Sequence, residues 1–370
     1  MRAYMRAPLP TNPPLELGRF MQVYECAIAA VGRLDGVTAI LPSTPLFLYI
    51  YVRKETLLSS QIEGTQSSLS DLLLFENQET PAVELDDLTE VSNYIAAIEH
   101  GVSRMRGGFP LSLRLIREIH AILLKSGRGA AKQPGEFRPS QNWNGGTRPG
   151  NAQFVPPPPN RLDECLDGLE RFLHSEDAAL PPLIRAGLTH VQFETIHPFL
   201  DGNGRLGRLL ITLILCEAGV LREPILYLSL FLKSPRDDYC RLLQEVRQAG
   251  TWETRMAFFL TGVVETAEQA AATARDLIAM FNAHRQQIAG LGRAAPSALR
   301  VHELMQVSPI VTIQSVSEKL AVSFLTARMA LEDLAKINVV RETTGRQRGR
   351  IYAYSDYLAL LDRGTDPLPA

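Results

Sequence analysis

The chain has little of what would direct it to a membrane, an oxidising compartment or a nucleic acid. Of its 370 residues only two are tryptophan and four are cysteine. Cys26, Cys165, Cys216 and Cys240 stand far apart, without metal-type pairing. That excludes a disulfide framework and reads as reduced thiols in a cytoplasmic protein. No run approaches about eighteen uninterrupted apolar residues, so neither a transmembrane helix nor a membrane partner is expected. Two early arginines are followed by no apolar leader core, so no secretory signal is expected. The formal charge of −2 gives no global attraction to nucleic acid, and any such contact has to come from a local patch. What remains is ordinary globular material, 45% hydrophobic and 21% charged, long enough for two or three domains.

Helical periodicity dominates. It runs over 15–39, 46–62, 67–76, 86–100, 111–124, 161–173 and 183–196, and one long alanine-rich stretch covers 252–287. Ser112, Arg114 and Glu118 read as a solvated helix face. Between 183–196 and an apolar run at 209–215 lies His197-Pro-Phe-Leu-Asp-Gly-Asn-Gly-Arg-Leu-Gly-Arg208. A polar, glycine-bearing turn before a helix presents unpaired N–H groups and the positive end of a dipole, a ready anion site. Arg205 and Arg208, three apart, share one helical face and reach successive phosphates as planar forks. Asp201 is a hard oxygen ligand suited to magnesium, and His197 takes a proton near neutral pH. His190, Glu194 and His197 lack His-Glu-x-x-His spacing, so zinc is not expected, and His190 and Glu194 read as packed within the helical core.

This stretch resembles the signature of the Fic family of protein adenylyltransferases, matching at every position the family pattern specifies. The resemblance implies a mainly α fold: a Fic helical core at 106–290 with a short β-hairpin flap, after a helical region at 1–105. It implies transfer of AMP from ATP to Tyr, Thr or Ser hydroxyls of a target protein, or of the chain itself. His197 would be the base and Asp201 the Mg2+ ligand. Gly202, Asn203 and Gly204 would form the anion nest. Arg205 would stabilise the departing pyrophosphate, Arg208 would hold the γ-phosphate, and Tyr239 would help wall the adenine pocket. Ser59-Ser-Gln-Ile-Glu63-Gly64, within a helix at about 46–64, resembles the family's inhibitory motif. That implies Glu63 on Arg208, a guanidinium then closed to the nucleotide, with Ser59 on the same helical face. Gln133–Pro159, rich in Gly, Pro and Asn, resembles the flap (about 135–158), which pairs with a target segment by strand addition, its turn across 145–151. There Arg138 reads either as a surface arginine or as a brace. A homodimer is expected on family grounds.

Beyond a boundary at 291–296, residues 297–356 resemble a small C-terminal winged helix-turn-helix. Ser323, Thr326 and Arg328 would open the recognition helix, and Arg341, Arg346, Arg348 and Arg350 would sit on the wing. Glu332, Asp333 and Glu342 dilute that basic patch, which leaves weak DNA contact, protein docking and dimer contact as alternatives. Two other readings of the whole chain stand: AMP removal or another phospho-group transfer by the same fold, and a nucleotide-sensing DNA-binding regulator.

Overall fold

In the computed structural model, residues 3–5, 8–39, 44–63, 72, 85–127, 129–175, 180–233, 236–345 and 349–365 are described. Of the sequence expectations, the helix at 67–76 (Leu72 apart), Gly64, Arg346 and Arg348 fall outside them. The chain is mainly helical, and the site hangs on a buried helical hairpin. Its first arm is α6 (Pro182–Ile196), its second α7 (Asn203–Glu217). Pro182 starts α6 at a position where a missing N–H costs nothing, and nearly every residue that follows is buried. A helix buried on every side belongs at the centre of a bundle, and here it takes Thr189, His190, Gln192, Glu194 and Thr195 inside with it. The arginine-bearing helix begins at Asn203, well before the apolar run at 209–215, so Arg205 and Arg208 lie in its first two turns.

The amphipathic α4 (Leu113–Leu123) packs on α7 and buries Leu115, Ile116, Ile119 and Leu123 in the core. Ser112 is its N-cap, accepting the Leu115 N–H, and Glu118 collects His100, Arg104 and Arg114. The solvated-face reading missed both, because capping and cross-helix pairing leave no periodic signal. Packed on α4 and α7 is α3 (Leu85–Arg106), while α5 (Leu162–Leu173) lies on α6. α1 (Met21–Ala39) runs along α10 (Trp252–Ala289), where Ala27 and Ala30 meet a stripe of buried alanines at 267, 270, 271 and 274. α8 (Ser229–Lys233) and α9 (Arg236–Ala249) complete this part.

The helix that carries Glu63, α2 (Thr44–Ile62), is unusual in its interior. It buries Lys54, Glu55, Thr56, Ser59, Ser60 and Gln61. Buried polar groups call for partners: Thr56 finds one a turn back at the Val52 carbonyl, Ser60 Oγ has none, and those of Lys54, Glu55 and Gln61 come from distant segments. Ser229 donates to both Glu55 oxygens, Lys233 Nζ to Gln61 Oε1 at 2.8 Å, and Tyr51 Oη to the Ala270 carbonyl. Lys54 Nζ and Gln61 Nε2 donate to the carbonyls of Arg363 and Thr365, at 2.7 and 2.8 Å. The chain just after α14 (Ser355–Asp362) thus clasps α2.

The C-terminal elements run α11 (Ala295–Val307), β1 (Ile310–Thr312), α12 (Ile313–Leu320), α13 (Phe324–Lys336), β2 (Arg341–Glu342) and β3 (Ile351–Ala353). The three strands form one antiparallel sheet in the order β1-β3-β2, with Val311 opposite Tyr352 and Glu342 opposite Tyr352 on the other side. Ser323 caps α13 as its sequence position suggested. Strand β1, three residues long, was not foreseen.

Candidate active site

Ile196 ends α6, and His197 follows at φ 50°, ψ 60°. A left-handed non-glycine residue is uncommon and costs energy, so the surrounding contacts have to impose it. They do. The His197 N–H donates to the Phe193 carbonyl at 2.9 Å, and its carbonyl accepts Arg138 Nε at 2.8 Å. Arg138 also donates to the carbonyls of Ser140 and Pro157, and its own N–H to that of Pro198. Of the two readings of Arg138, the buried brace is the one observed. Asn142 Nδ2 donates to the Phe199 carbonyl, tying the flap to the same loop.

The loop itself is closed from inside. Asn203 Oδ1 accepts the Phe199 N–H and Asn203 Nδ2 returns to the Phe199 carbonyl, both at 2.9 Å. Gly202, at φ 74°, makes the turn into α7. Sequence reasoning passed over His120, which stacks on Phe199 at 3.7 Å between ring centroids. The Gly135 N–H donates to its Nδ1, so its Nε2 carries the proton and donates to the Asp201 carbonyl at 3.0 Å. Its place in the buried stripe of α4, beside Ile116, Ile119 and Leu123, was the signal available.

Beneath this loop opens a cavity of about 1180 Å³, walled by α2, α3, the flap, the loop and α9. His197, Asp201, Gly202, Asn203, Gly204, Arg205, Arg208, Tyr239 and Glu63 all line it. Ser59 lies behind, fully buried. Tyr239 is buried, and its hydroxyl meets His190 Nε2 at 3.0 Å, while His190 Nδ1 donates to the Gly207 carbonyl. On the flap, Asn144 and Phe154 form an antiparallel bridge, with Asn151 Oδ1 accepting the Thr147 and Arg148 N–H groups in the turn. The Tyr4 N–H adds to the outer edge at the Val155 carbonyl.

Arg208 is 2% exposed and donates three hydrogen bonds: Nε to Ser59 Oγ at 2.9 Å, Nη2 to the Ser59 carbonyl at 2.9 Å, and Nη2 to Glu63 Oε1 at 2.7 Å. Burial would lower its pKa, but Glu63 and the neighbouring phenols Tyr239 and Tyr94 outweigh that and hold it firmly charged. Glu63 is 41% exposed, at the very end of its helix. Its carboxylate lies so close to Gly204 that a side chain there would strike it. Arg205 is held at one nitrogen only, with Nη1 donating to Glu90 Oε2 at 3.0 Å and its Nε buried without a partner. Sequence spacing gave no hint of Glu90.

Burial, then Arg247 and Arg138, push the His197 imidazole down to about 4, so in the resting protein it is neutral at pH 7 and takes a proton less readily than the sequence alone suggested. Its Nδ1 is buried without a partner. Three residues earlier, burial raises the Glu194 carboxyl to about 7, with Arg208 pulling the other way, and its Oε1 is unpaired. Among the described residues no cluster of three or more His, Cys, Asp or Glu could hold a metal by itself. Asp201 lines the cavity with its Oδ1 accepting the Gly202 N–H at 2.6 Å, and it is the hard oxygen ligand of the loop that would hold a magnesium ion together with water and substrate oxygens.

Fold and site together define a helical protein in which a helix N-terminus opens onto a cavity and its two motif arginines are held by carboxylates from the N-terminal part of the chain. Comparison with known families agrees with that description. The Fic/DOC family N-terminal model matches residues 21–103 and the Fic/DOC family model matches 110–215, and the chain belongs to this family. It is similar to "Protein adenylyltransferase Fic" of Drosophila yakuba, 29% identical over 196 residues, and to the Drosophila virilis protein of that name, 31% identical over 161. The matches cover 52% and 43% of this chain but only 37% and 31% of those proteins. Among solved structures, a Fic family protein from Desulfovibrio desulfuricans G20 superposes with a TM-score of 0.59 at 19% identity, covering 95% of this chain and 98% of that one. Fic-1 from C. elegans gives 0.51 at 21%, over 70% and 73%. At such identities these likenesses speak for the fold. No helix among the described residues is long and apolar enough to cross a membrane.

Proposed function

We propose that the chain is a protein adenylyltransferase that moves AMP from ATP to a Tyr, Thr or Ser hydroxyl and is held inactive by Glu63. The observation that carries this reading is the closed circuit on Arg208: three hydrogen bonds to Ser59 and Glu63 inside the cavity that holds His197. A guanidinium so occupied offers no fork to a γ-phosphate, and the carboxylate repels one.

With Glu63 withdrawn, Arg208 takes the γ-phosphate. The α7 N-terminus and Gly202, Asn203 and Gly204 receive the phosphate chain. Asp201 would hold Mg2+, whose charge offsets that of the phosphates when bound. A target segment docks along the flap by strand addition and brings its hydroxyl to His197. His197 accepts the hydroxyl proton as the oxygen bonds to the α-phosphorus. The bond from that phosphorus to the bridging oxygen breaks, and its electron pair leaves with pyrophosphate beside Arg205. Pro198 and Phe199 do no chemistry; the phenylalanine ring anchors the loop against His120.

Incubation with ATP labelled at the α-phosphate tests the reading. Glu63→Gly should label itself and added lysate proteins far more strongly than wild type, and equal labelling would remove Glu63 as the inhibitor. A mass spectrum of the product separates AMP transfer from phosphate transfer. In the C-terminal part, Arg328 and Arg350 are paired with Glu332 and Lys336 with Asp333, which does not favour DNA binding through a winged helix.

A further inference from the structure

Glu90 and Glu63 both hold a motif arginine, but they are anchored in opposite ways. Glu63 is the half-exposed residue just past the end of α2. Glu90 is 2% exposed and sits within α3, a helix packed on both α4 and α7. A carboxylate so placed cannot leave Arg205 without dragging a core helix. A buried ion pair is costly to desolvate and poor as a source of stability, so one kept on a cavity wall calls for another explanation. Arg205, 4% exposed, supplies it. Glu90 takes only Nη1, and the buried Nε–H has no partner. In a guanidinium, Nε–H and the Nη lying trans to Cδ form one edge, the fork that matches two oxygens of a phosphate. With the opposite nitrogen pinned, that edge keeps a buried Nε–H without a protein partner on a residue that lines the cavity.

We propose that Glu90 is a positioning residue for AMP transfer: it fixes the plane of the Arg205 guanidinium so that its Nε edge receives the departing pyrophosphate. The proposal rests on the adenylyltransferase reading. It makes Glu90 the opposite of Glu63, since removing one releases the enzyme and removing the other blunts it.

The test uses the full chain in the Glu63→Gly background. Adding Glu90→Gln, which keeps the shape and removes the charge, should lower kcat about 10- to 100-fold, the scale expected for a misaimed group. KM for ATP should stay within about threefold, because Arg208 and the α7 N-terminus still bind the phosphates. Glu90→Asp, which keeps the charge but shortens the reach, should lose kcat as well. On a Glu63→Gly, Arg205→Ala protein, Glu90→Gln should cause no further loss, as expected of two residues acting as one unit. An unchanged kcat overturns the proposal, an increased one would make Glu90 a second inhibitory residue, and a full extra loss without Arg205 would make it merely structural. A direct readout stands apart from catalysis. The Arg205 Nε–H NMR resonance, assigned by its loss in Arg205→Lys, should shift when ATP and Mg2+ are added to Glu63→Gly, and not in the Glu90→Gln double variant. If Glu63→Gly transfers no AMP at all, the adenylyltransferase reading fails, and the resonance still decides whether Glu90 aims Arg205 at the nucleotide.

Discussion

His197 combines a left-handed backbone with a desolvated imidazole, and both follow from the brace around it. Because its pKa is depressed to about 4, neutral imidazole is the form present through the physiological range. NMR titration of the resting protein should therefore give a His197 midpoint well below 6.5. In Glu63→Gly the midpoint should drop further, since the Glu63 carboxylate is one of the groups that raise it. A midpoint near 6.5 would contradict the desolvated geometry. Within the Glu63→Gly background, His197→Ala should cut AMP transfer by roughly 10²- to 10⁴-fold, the usual worth of a general base. ATP affinity measured by calorimetry should change little, because no phosphate-binding donor is removed.

At the scale of elements, one buried side chain braces the flap against the catalytic loop at several carbonyls, beside the tie from Asn142. Arg138 satisfies the carbonyls of His197, Ser140 and Pro157 from a buried position. Arg138→Leu would strand those of Ser140 and Pro157 and leave His197 only the longer bond from Asn142, and each stranded buried acceptor costs about 1–3 kcal/mol. A loss of at least about 2 kcal/mol in denaturant unfolding is expected, with faster hydrogen exchange across 142–154; exchange unchanged there would show that the flap is anchored by other contacts. This is also where sequence reading ran out. The loop from His197 to Arg208 was legible because its chemistry is packed into one contiguous motif, and Ser59 and Glu63 because they follow a compact pattern of their own. Arg138, His120 and Glu90 carry no such mark. Each acts across tens of residues or more, so its role exists only once helices and flap have been brought together. Strand β1 escaped because three residues, Ile310–Thr312, are too few to show an alternation.

Across the whole molecule, burial has displaced several titrations in the same sense. His120, His197 and His302 are held at about 4 and His190 at about 3, each chiefly by desolvation. Such groups bind more protons unfolded than folded, so the stability they lend is lost as pH falls from 6.5 toward 4. Glu55 and Glu194, raised to about 7 by burial, act oppositely, and their contribution fades as pH rises through 7. With four groups against two, the denaturant midpoint should be lower at pH 5 than at pH 7.5, and an equal or higher midpoint would contradict this balance. The clasp of Arg363 and Thr365 on α2 adds a matter of timing. During synthesis, α2 and the loop from His197 to Arg208 emerge long before residue 365, so a nascent chain holds α2 through Ser229, Lys233 and the Ala270 carbonyl without this last clasp. A protease cut between 354 and 363 would free the Arg363 and Thr365 carbonyls from Lys54 and Gln61 in a finished molecule. Such clipped protein should label itself with AMP faster than the intact chain, which would make the age and integrity of each copy part of its control.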